Sequence, residues 1–287
     1  MKIAFFDIDR TLTSELDGSI PESTKLAIRK ARSNGHLMFI NTGRCFQNVE
    51  PRFREIGWDG YVCGCGTYIT LDKSEMPILA NPYKDWALIE EKAPHHGLDL
   101  LYNPQPADRI AKIREVASWA DVDILFESRY FVAFDTTRPL HHPAAITQNE
   151  HFLKRNYPMN MDVYSEGFTC DKFVIWAENL EQIEAVRKVS DEWFECIDRG
   201  GTFREFVPKG FSKATGIQFL LDYYNLHLSD AYAFGDSTND LAMLEYVPGS
   251  VAMGNSSPEW IKEKVSYVTG KASATGIEEA LAHFGFI

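Results

Sequence analysis

Short apolar runs that end in polar residues recur along the chain and predict the strands of a parallel sheet. The first run, residues 3–6, is wholly apolar and is followed by Asp7 and Asp9. A second run within residues 36–44 likewise ends in polar side chains. Uninterrupted apolar runs of this length are typical of strands buried on both faces. Residues 21–33, between the two runs, alternate apolar and basic positions and predict a helix.

The pattern changes after residue 82 and returns after residue 208. The middle segment shows helix-like stretches at 86–93, 108–120 and 180–193, a hairpin pattern around Arg129, and strand-like stretches at 173–177, 194–198 and 205–208. Helices mixed with hairpins favour an α+β unit over more parallel sheet. We therefore predict a doubly wound α/β core from residues 1–81 and 208–287, with an α+β cap inserted at 82–207.

Composition narrows the class of protein. A formal net charge of −12 argues against a nucleic acid or an anionic membrane as partner, because those surfaces require a basic footprint. The apolar start is interrupted by acids too early for a signal peptide, and no run of about 18 apolar residues predicts a membrane span. The five cysteines lack metal-ligand spacing, which indicates reduced thiols. We predict a cytoplasmic protein and leave its oligomeric state open.

Acidic residues follow two of the predicted strands. Asp7 and Asp9 end the first strand, and Asp236 ends a later one. Because the carboxyl ends of parallel strands meet at one edge of a sheet, we expect these acids to lie close together. Carboxylates crowded in this way require a bound cation, a raised pKa, or both. Their hard oxygen ligands suit Mg²⁺.

The same edge is predicted to carry hydrogen-bond donors. Thr42 offers a hydroxyl, Lys213 an ammonium group and Asn239 an amide. Such groups stabilise the outer oxygens of a phosphoryl group. Together with the acids they predict a phosphoryl-transfer site that binds a small phosphorylated metabolite.

Four motifs in this order resemble those of the haloacid dehalogenase superfamily: FFDIDRTL, INTGR, KGFSK and FGDSTND. The long insert between the second and third, with the later VAMGNSSPEWIKEKVSYVT and TGIEEAL, resembles the Cof-type subfamily (IIB) of sugar-phosphate and cofactor phosphatases. The resemblance covers the predicted core, about 160 residues. It implies a Mg²⁺-dependent phosphatase acting through an aspartyl phosphate. Sugar phosphates are the first expected substrate class, and phosphorylated cofactors such as pyridoxal phosphate or FMN are the next.

The resemblance also implies a role for each motif residue. Asp7 is the implied nucleophile, and Asp9 the acid that protonates the leaving oxygen and later the base that activates water. Mg²⁺ would be held by the Asp7 carboxylate, the Asp9 backbone carbonyl and Asp236. The implied phosphate ligands and supporting residues are Thr42, the Gly43 amide, Lys213, Asn239, Asp240 and Arg44. Of these, Lys213 would neutralise developing charge, while Asp240 would orient Lys213 or a metal-bound water.

One motif position departs from the subfamily pattern, because Arg10 stands where D-x-D-G-T has glycine. Glycine reaches backbone angles that cost arginine energy. Arg10 either projects toward the cap and contacts an anionic substrate, or is a surface loop residue. In the cap, Arg129 and Tyr130 lie on a hairpin that we expect to reach the leaving group.

Other conspicuous residues receive structural interpretations. The histidine pairs 95–96 and 141–142 are adjacent, so on a helix neither pair can face one metal. We assign them to loops or the surface. The tryptophans at 86, 119, 176 and 193 are predicted to pack in the cap core rather than stack on a substrate.

Two other functions remain open at this point. A phosphomutase or phosphotransferase would use the same aspartyl phosphate and pass it to a sugar hydroxyl. A non-catalytic phosphometabolite-binding protein would keep the fold without turnover, and only Arg10 favours it.

Overall fold

The described residues form two β-sheets with helices packed against both faces of each. The structure is a computed structural model that describes residues 1–72 and 97–287, apart from 156, 158 and 160. In chain order the strands of this part are Ile3–Phe6 (β1), Leu37–Asn41 (β2), Gly60–Cys63 (β3), Tyr68–Asp72 (β4), Gly97–Tyr102 (β5), Asp123–Glu127 (β6), Val132–Phe134 (β7), Lys172–Trp176 (β8), Phe194–Asp198 (β9), Phe203–Pro208 (β10), Ala231–Gly235 (β11), Gly249–Ala252 (β12) and Tyr267–Val268 (β13).

The larger sheet has the strand order β13-β12-β11-β1-β2-β3-β4-β5. Strand β1 lies between β11 and β2 and is parallel to both, so that Phe5 pairs with Ala233 on one side and Phe39 on the other. All four residues of β1 are fully buried. This confirms the central parallel strand that the first apolar run predicts. Strands β4 and β5 extend the sheet in antiparallel fashion.

Helices cover both faces of the larger sheet. Successive side chains of β1 alternate between two apolar clusters, with Phe6 in one and Phe5 in the other. Because each face meets its own layer of helices, the core is doubly wound, as predicted. The helices of these layers are Glu22–Ser33 and Gly276–His283 on one face and Lys213–Tyr224 and Leu241–Tyr246 on the other.

The smaller sheet has the order β7-β6-β8-β10-β9 and is antiparallel. Helices Ala107–Trp119 and Leu180–Ser190 pack on one face of it, and helix Pro143–Lys154 packs on the other. The hairpin predicted around Arg129 is present as β6 and β7. Strand β5 falls within the range 82–207 yet pairs with β4 in the larger sheet.

Helix Pro143–Lys154 was not predicted, although its start carries a sequence signal. Pro143 occupies the first helical turn, and the His142 side chain accepts the backbone N–H of Ala144. The predicted core position of Trp119 is wrong, because this side chain is 79% exposed. The helix-like stretch 86–93 and the histidine pair 95–96 lie outside the described residues. In the part of the chain that the structure describes, no helix is both long and apolar enough to cross a bilayer.

Candidate active site

Most of the predicted motif residues line one cavity. It lies between the carboxyl ends of the central strands and the smaller sheet, and it has a volume of about 170 Å³. The core contributes Asp7, Asp9, Thr42, Gly43, Arg44, Asn48, Ser237 and Asn239. The smaller sheet and its turn contribute Glu127, Lys172, Val174, Arg199, Phe203 and Glu205.

Lys213 forms a buried ion triad with two carboxylates. Its Nζ lies 2.5 Å from Asp7 Oδ1 and 2.6 Å from Asp240 Oδ1, and its side chain is 1% exposed. Ser212 positions it by capping the helix that begins at Lys213, since the Ser212 hydroxyl accepts the Thr215 N–H. Burial alone would lower the pKa of Lys213, but attraction to Asp240 and Asp7 outweighs burial and raises it. Lys213 is therefore a fixed cation beside Asp7.

Asp240 connects Lys213 to the backbone that follows β11. Its Oδ2 accepts the backbone N–H groups of Asp236 and Ser237 at 2.9 and 3.1 Å. Gly235 allows the approach, because a Cβ there would lie 2.6 Å from the Asp240 Cβ. Both carboxylate oxygens of Asp240 are thus engaged, which suits a residue that orients Lys213.

Three carboxylates lie close enough together to form a candidate cation site. Asp7, Asp236 and Asp240 each offer an oxygen within 4.8 Å of the others. Burial, followed by repulsion from Asp240, raises the pKa of Asp7 to about 7 and that of Asp236 to about 8. Since Asp240 is already satisfied, Asp7 and Asp236 are the carboxylates with oxygens to offer. A hard divalent cation such as Mg²⁺ fits this donor set and would relieve the repulsion.

Asp9 faces away from that cluster and binds Arg44. The guanidinium donates from Nη2 and Nε to the two Asp9 oxygens at 2.5 and 2.9 Å. Surrounding protein partly desolvates Asp9, which by itself would raise its pKa, but the Arg44 charge and hydrogen bonds outweigh this and lower the pKa. The Asp9 side chain is 60% exposed. In this state Asp9 is an ionised carboxylate that lines the cavity.

Arg10 has the left-handed backbone that glycine would favour, with φ of 60°. Its carbonyl accepts the Asn255 side-chain N–H at 2.8 Å, and its Nη2 donates to the Asn255 carbonyl at 3.2 Å. Its Nε lies 3.5 Å from Asp236 Oδ2. The side chain lies beside Asn255 and Asp236 of the core, and it is not among the residues that line the catalytic cavity.

Thr42 and Gly43 form a tight loop under the smaller sheet. Thr42 is buried, and its hydroxyl accepts the Arg44 N–H at 3.1 Å. A Cβ on Gly43 would lie 3.3 Å from Glu205 Oε1. Asn239 also lines the cavity, and its Oδ1 accepts the Ser237 hydroxyl.

Arg129 and Tyr130 are not among the residues that line the catalytic cavity, although Glu127 of the same hairpin is. Arg129 Nη1 donates to Asp99 Oδ2 at 2.8 Å, and its guanidinium lies 3.6 Å from the Tyr102 ring centroid. Tyr130 packs on the same guanidinium at 4.3 Å. These contacts attach the β6–β7 turn to the edge of the larger sheet because Asp99 and Tyr102 belong to β5.

The sequence analysis missed a second ion cluster above the cavity. Lys172 Nζ lies 2.6 Å from Glu205 Oε1 and 3.0 Å from Glu127 Oε2, and all three side chains are buried. Arg199 Nε lies 3.7 Å from Glu205 Oε2. A sequence signal existed, because charged residues within apolar strands are rarely buried without partners. The partners themselves depend on strand pairing.

Comparison with known proteins agrees with this fold. The family model described as haloacid dehalogenase-like hydrolase matches residues 4–281. The chain is 28% identical to "Putative phosphatase YkrA" of Bacillus subtilis (strain 168), with 100% of this chain and 98% of that protein covered. It is 25% identical to the 5-amino-6-(5-phospho-D-ribitylamino)uracil phosphatase YitU of the same organism, with 97% and 94% covered.

Solved structures show the same architecture. The phosphatase BT1666 from Bacteroides thetaiotaomicron superposes with a TM-score of 0.77 at 24% identity, with 100% of this chain and 96% of that chain covered. Since the family match spans nearly the whole chain, this protein belongs to the haloacid dehalogenase-like hydrolases. The predicted superfamily membership and phosphatase class are thereby confirmed.

Proposed function

We propose that this protein is a Mg²⁺-dependent phosphatase that hydrolyses small phosphorylated metabolites through an aspartyl phosphate on Asp7. The observation that carries the proposal is the position of Asp7, which shares one cavity with Thr42, Gly43 and Asn239 and is ion-paired with Lys213. A carboxylate surrounded by phosphoryl-oxygen donors is the arrangement that covalent phosphoryl transfer needs.

The metal-binding proposal rests on the acidic cluster. We assign the Asp7 carboxylate, the Asp9 backbone carbonyl and the Asp236 carboxylate as ligands, with Asp7 and Asp236 supported by their close approach. When bound, Mg²⁺ supplies the positive charge that offsets repulsion between a carboxylate nucleophile and a phosphate dianion.

In the first step, an Asp7 carboxylate oxygen forms a bond to phosphorus while the bond from phosphorus to the leaving oxygen breaks. Asp9 gives its proton to that oxygen, so the leaving group departs as an alcohol. Because Arg44 holds Asp9 as a carboxylate, Asp9 must first exchange this contact for the leaving oxygen and take up a proton. Lys213, Thr42, the Gly43 amide and Asn239 hold the phosphoryl oxygens.

In the second step, water attacks phosphorus and Asp9 accepts its proton. The bond between phosphorus and the Asp7 oxygen then breaks, which restores Asp7 and releases inorganic phosphate. The lowered pKa of Asp9 supports the base role, since an ionised carboxylate is available at neutral pH. Asp240 keeps Lys213 oriented throughout.

The substrate is a small phosphorylated metabolite bound between a core of residues 1–81 and 208–287, to whose sheet β5 adds an edge strand, and a cap built from within residues 82–207. Closure of the cap would exclude water and bring the smaller sheet against the leaving group. Sugar phosphates are the first class to test and phosphorylated cofactors the next, a range supported by the phosphorylated ribityl compound in the name of the relative YitU. The free thiols of all five cysteines support a reducing compartment, the cytoplasm.

Phosphate release from a panel of sugar phosphates, nucleotides and phosphorylated cofactors tests the proposal. Release should require Mg²⁺, stop with EDTA and vanish in Asp7→Asn. The exposed Asp108→Asn, on a helix packed against the other face of the smaller sheet, is the matched control and should keep full activity. Release that survives Asp7→Asn would remove Asp7 as nucleophile.

The same panel separates the two alternatives. A phosphomutase would return an isomeric sugar phosphate instead of inorganic phosphate. A non-catalytic binding protein would bind an ester without releasing phosphate under saturating Mg²⁺.

A further inference from the structure

A line of four charged side chains connects a helix of the smaller sheet to Asp9. Arg155, which ends the helix Pro143–Lys154, donates from Nη1 to Glu50 Oε1 at 2.6 Å. The same Glu50 oxygen lies 3.5 Å from Arg44 Nη1. Arg44 in turn binds both carboxylate oxygens of Asp9. Glu50 is therefore the core residue at which this helix meets the partner of Asp9.

Glu50 is surrounded by three guanidinium groups. Its second oxygen, Oε2, accepts the Arg52 Nε–H at 2.9 Å, and its side chain is only 14% exposed. The contact of Oε1 with Arg155 is short, whereas the contact with Arg44 is at the limit of a hydrogen bond. In the described arrangement Arg155 thus occupies the Glu50 oxygen that Arg44 could otherwise bind.

Arg44 can exchange Asp9 for Glu50 without losing its other contacts. Its Nη1 carries two N–H groups, of which one meets the Asn48 carbonyl at 3.0 Å and the other points to Glu50. Its guanidinium carbon lies 5.4 Å from the centroid of the Phe53 ring. Asp9, by contrast, takes Nε and Nη2. A short movement toward Glu50 would release Asp9 and keep the contacts with Asn48 and Phe53.

The proposed reaction requires such an exchange. Asp9 has to leave Arg44 before it can protonate the leaving oxygen. The Arg44 side chain is only 24% exposed, and a partly buried cation that loses its carboxylate is unfavourable unless another anion replaces it. Glu50 is within reach and carries the required charge. It would therefore lower the energy of the state in which Asp9 is free.

We propose that Glu50 is a positioning residue, which binds Arg44 when Asp9 turns to the leaving oxygen. Arg155 controls the exchange, because Glu50 is open to Arg44 only when Arg155 moves away. The Arg155 side chain is 40% exposed, so water can replace its contact at small cost. The inference rests on the proposed phosphatase function and adds to it a residue that is not among those lining the catalytic cavity.

Two esters with different leaving groups test the role of Glu50. The kcat/KM reports formation of the aspartyl phosphate, in which a sugar oxygen must be protonated as it leaves, whereas 4-nitrophenolate leaves as a stable anion. In Glu50→Gln the second carboxylate for Arg44 is gone. With saturating Mg²⁺, kcat/KM should therefore fall at least tenfold for ribose 5-phosphate and less than threefold for 4-nitrophenyl phosphate.

Glu184→Gln is the matched control, because it removes the charge from an exposed ion pair with Arg187 on an outer helix. It should change neither kcat/KM. A role in stability alone would lower kcat/KM for both esters of Glu50→Gln by the same factor, since both need the same folded protein. That result, or no loss for either ester, would overturn the inference.

The two partners of the ion pair between Glu50 and Arg155 should have opposite effects. Arg155→Met leaves Glu50 to Arg44, so kcat/KM for ribose 5-phosphate should rise at least twofold. A smaller rise or a fall would overturn the control by Arg155, because a contact that only attaches the helix would make both variants slower. Since Arg155 is at the surface, this measurement remains possible if Glu50→Gln does not fold.

The outcomes also separate this inference from the phosphatase proposal. Overturning the role of Glu50 would leave the phosphatase standing, because the wild type would still release phosphate from both esters. A wild type that releases phosphate from no ester, or an Asp7→Asn variant that still releases it, would overturn the phosphatase and the role of Glu50 with it.

Discussion

Replacement of Lys213 by methionine tests how the buried ion triad is held together. The substitution keeps a long side chain but removes the only ammonium group within 2.6 Å of both Asp7 and Asp240 among the described residues. Both carboxylates remain buried. The variant should therefore fold less stably than the wild type.

The structure sets the size of the effect. Two unit charges 4.8 Å apart repel by about 3.5 kcal/mol at an effective dielectric constant of 20. Removing one partner of a buried ion pair costs about 3–5 kcal/mol in measured cases. Protonation of one carboxylate relieves part of this cost. We expect Lys213→Met to lower the free energy of unfolding by about 3 kcal/mol at pH 8.

The loss should grow with pH. Without Lys213, the folded-state pKa of Asp7, already raised to about 7 with Lys213 present, lies still further above its unfolded value of 3.8. The folded protein then binds more protons than the unfolded chain, so stability falls as pH rises from about 4 through the folded pKa. The destabilisation at pH 5 should be smaller than at pH 8.

Urea unfolding in EDTA, monitored by far-ultraviolet circular dichroism, measures these differences. Lys264→Met is the matched control, because Lys264 is about half exposed, and it should change stability by less than about 0.5 kcal/mol. The double variant Lys213→Met/Asp240→Asn should be at least about 1 kcal/mol more stable than the sum of the single losses implies. A loss below about 1 kcal/mol, or one that does not depend on pH, would refute the reasoning.

Three further predictions follow from single residues. Burial raises the pKa of Asp171 from 3.8 to about 8, so the free energy of unfolding should decrease as pH rises from about 4 to 8. Asp171→Asn should make this decrease smaller by more than about 1 kcal/mol, as measured by urea unfolding at several pH values. A decrease as large as that of the wild type would contradict the prediction. In Gly43→Ala, the new Cβ would lie 3.3 Å from Glu205 Oε1, and because this pushes the smaller sheet away from Thr42 and Gly43, KM should rise severalfold. Ser118→Ala, exposed on an outer helix, is the control, and equal KM values in the two variants would contradict the prediction. Arg10→Gly should relieve about 1 kcal/mol of left-handed backbone strain and so raise the Tm measured by calorimetry. It should leave the KM for anionic esters, measured by steady-state kinetics, unchanged. A lower Tm would mean that the contacts of Arg10 stabilise the fold more than its backbone strain destabilises it.

Much of the core could be predicted because its signals are local. The apolar run of β1 and the acids after it occupy adjacent positions, and burial on both faces of a parallel sheet leaves a continuous apolar pattern. Convergence of Asp7, Thr42 and Asp236 then follows from the rule that parallel strands end at the same edge. The left-handed backbone at Arg10 could also be predicted, because the motif D-x-D-G-T has glycine at this position.

The side-chain contacts of the cap could not be predicted from the sequence, because they depend on strand register and on how the two sheets pack together. Nothing local to Arg129 indicates that Asp99 and the Tyr102 ring hold it at the edge of the larger sheet. The cluster around Lys172 likewise requires three strands in one register.

The sequence by itself determined the α/β core, the order of its motifs and the chemical groups at the carboxyl ends of its strands, because these depend on periodicity and on the handed geometry of parallel sheets. Only the tertiary structure decided that Arg44 holds Asp9, that Lys172 lies between two glutamates, and that Arg155 reaches Glu50. These contacts join residues distant in the chain, and their energies depend on burial and distance, which are absent until the chain has folded.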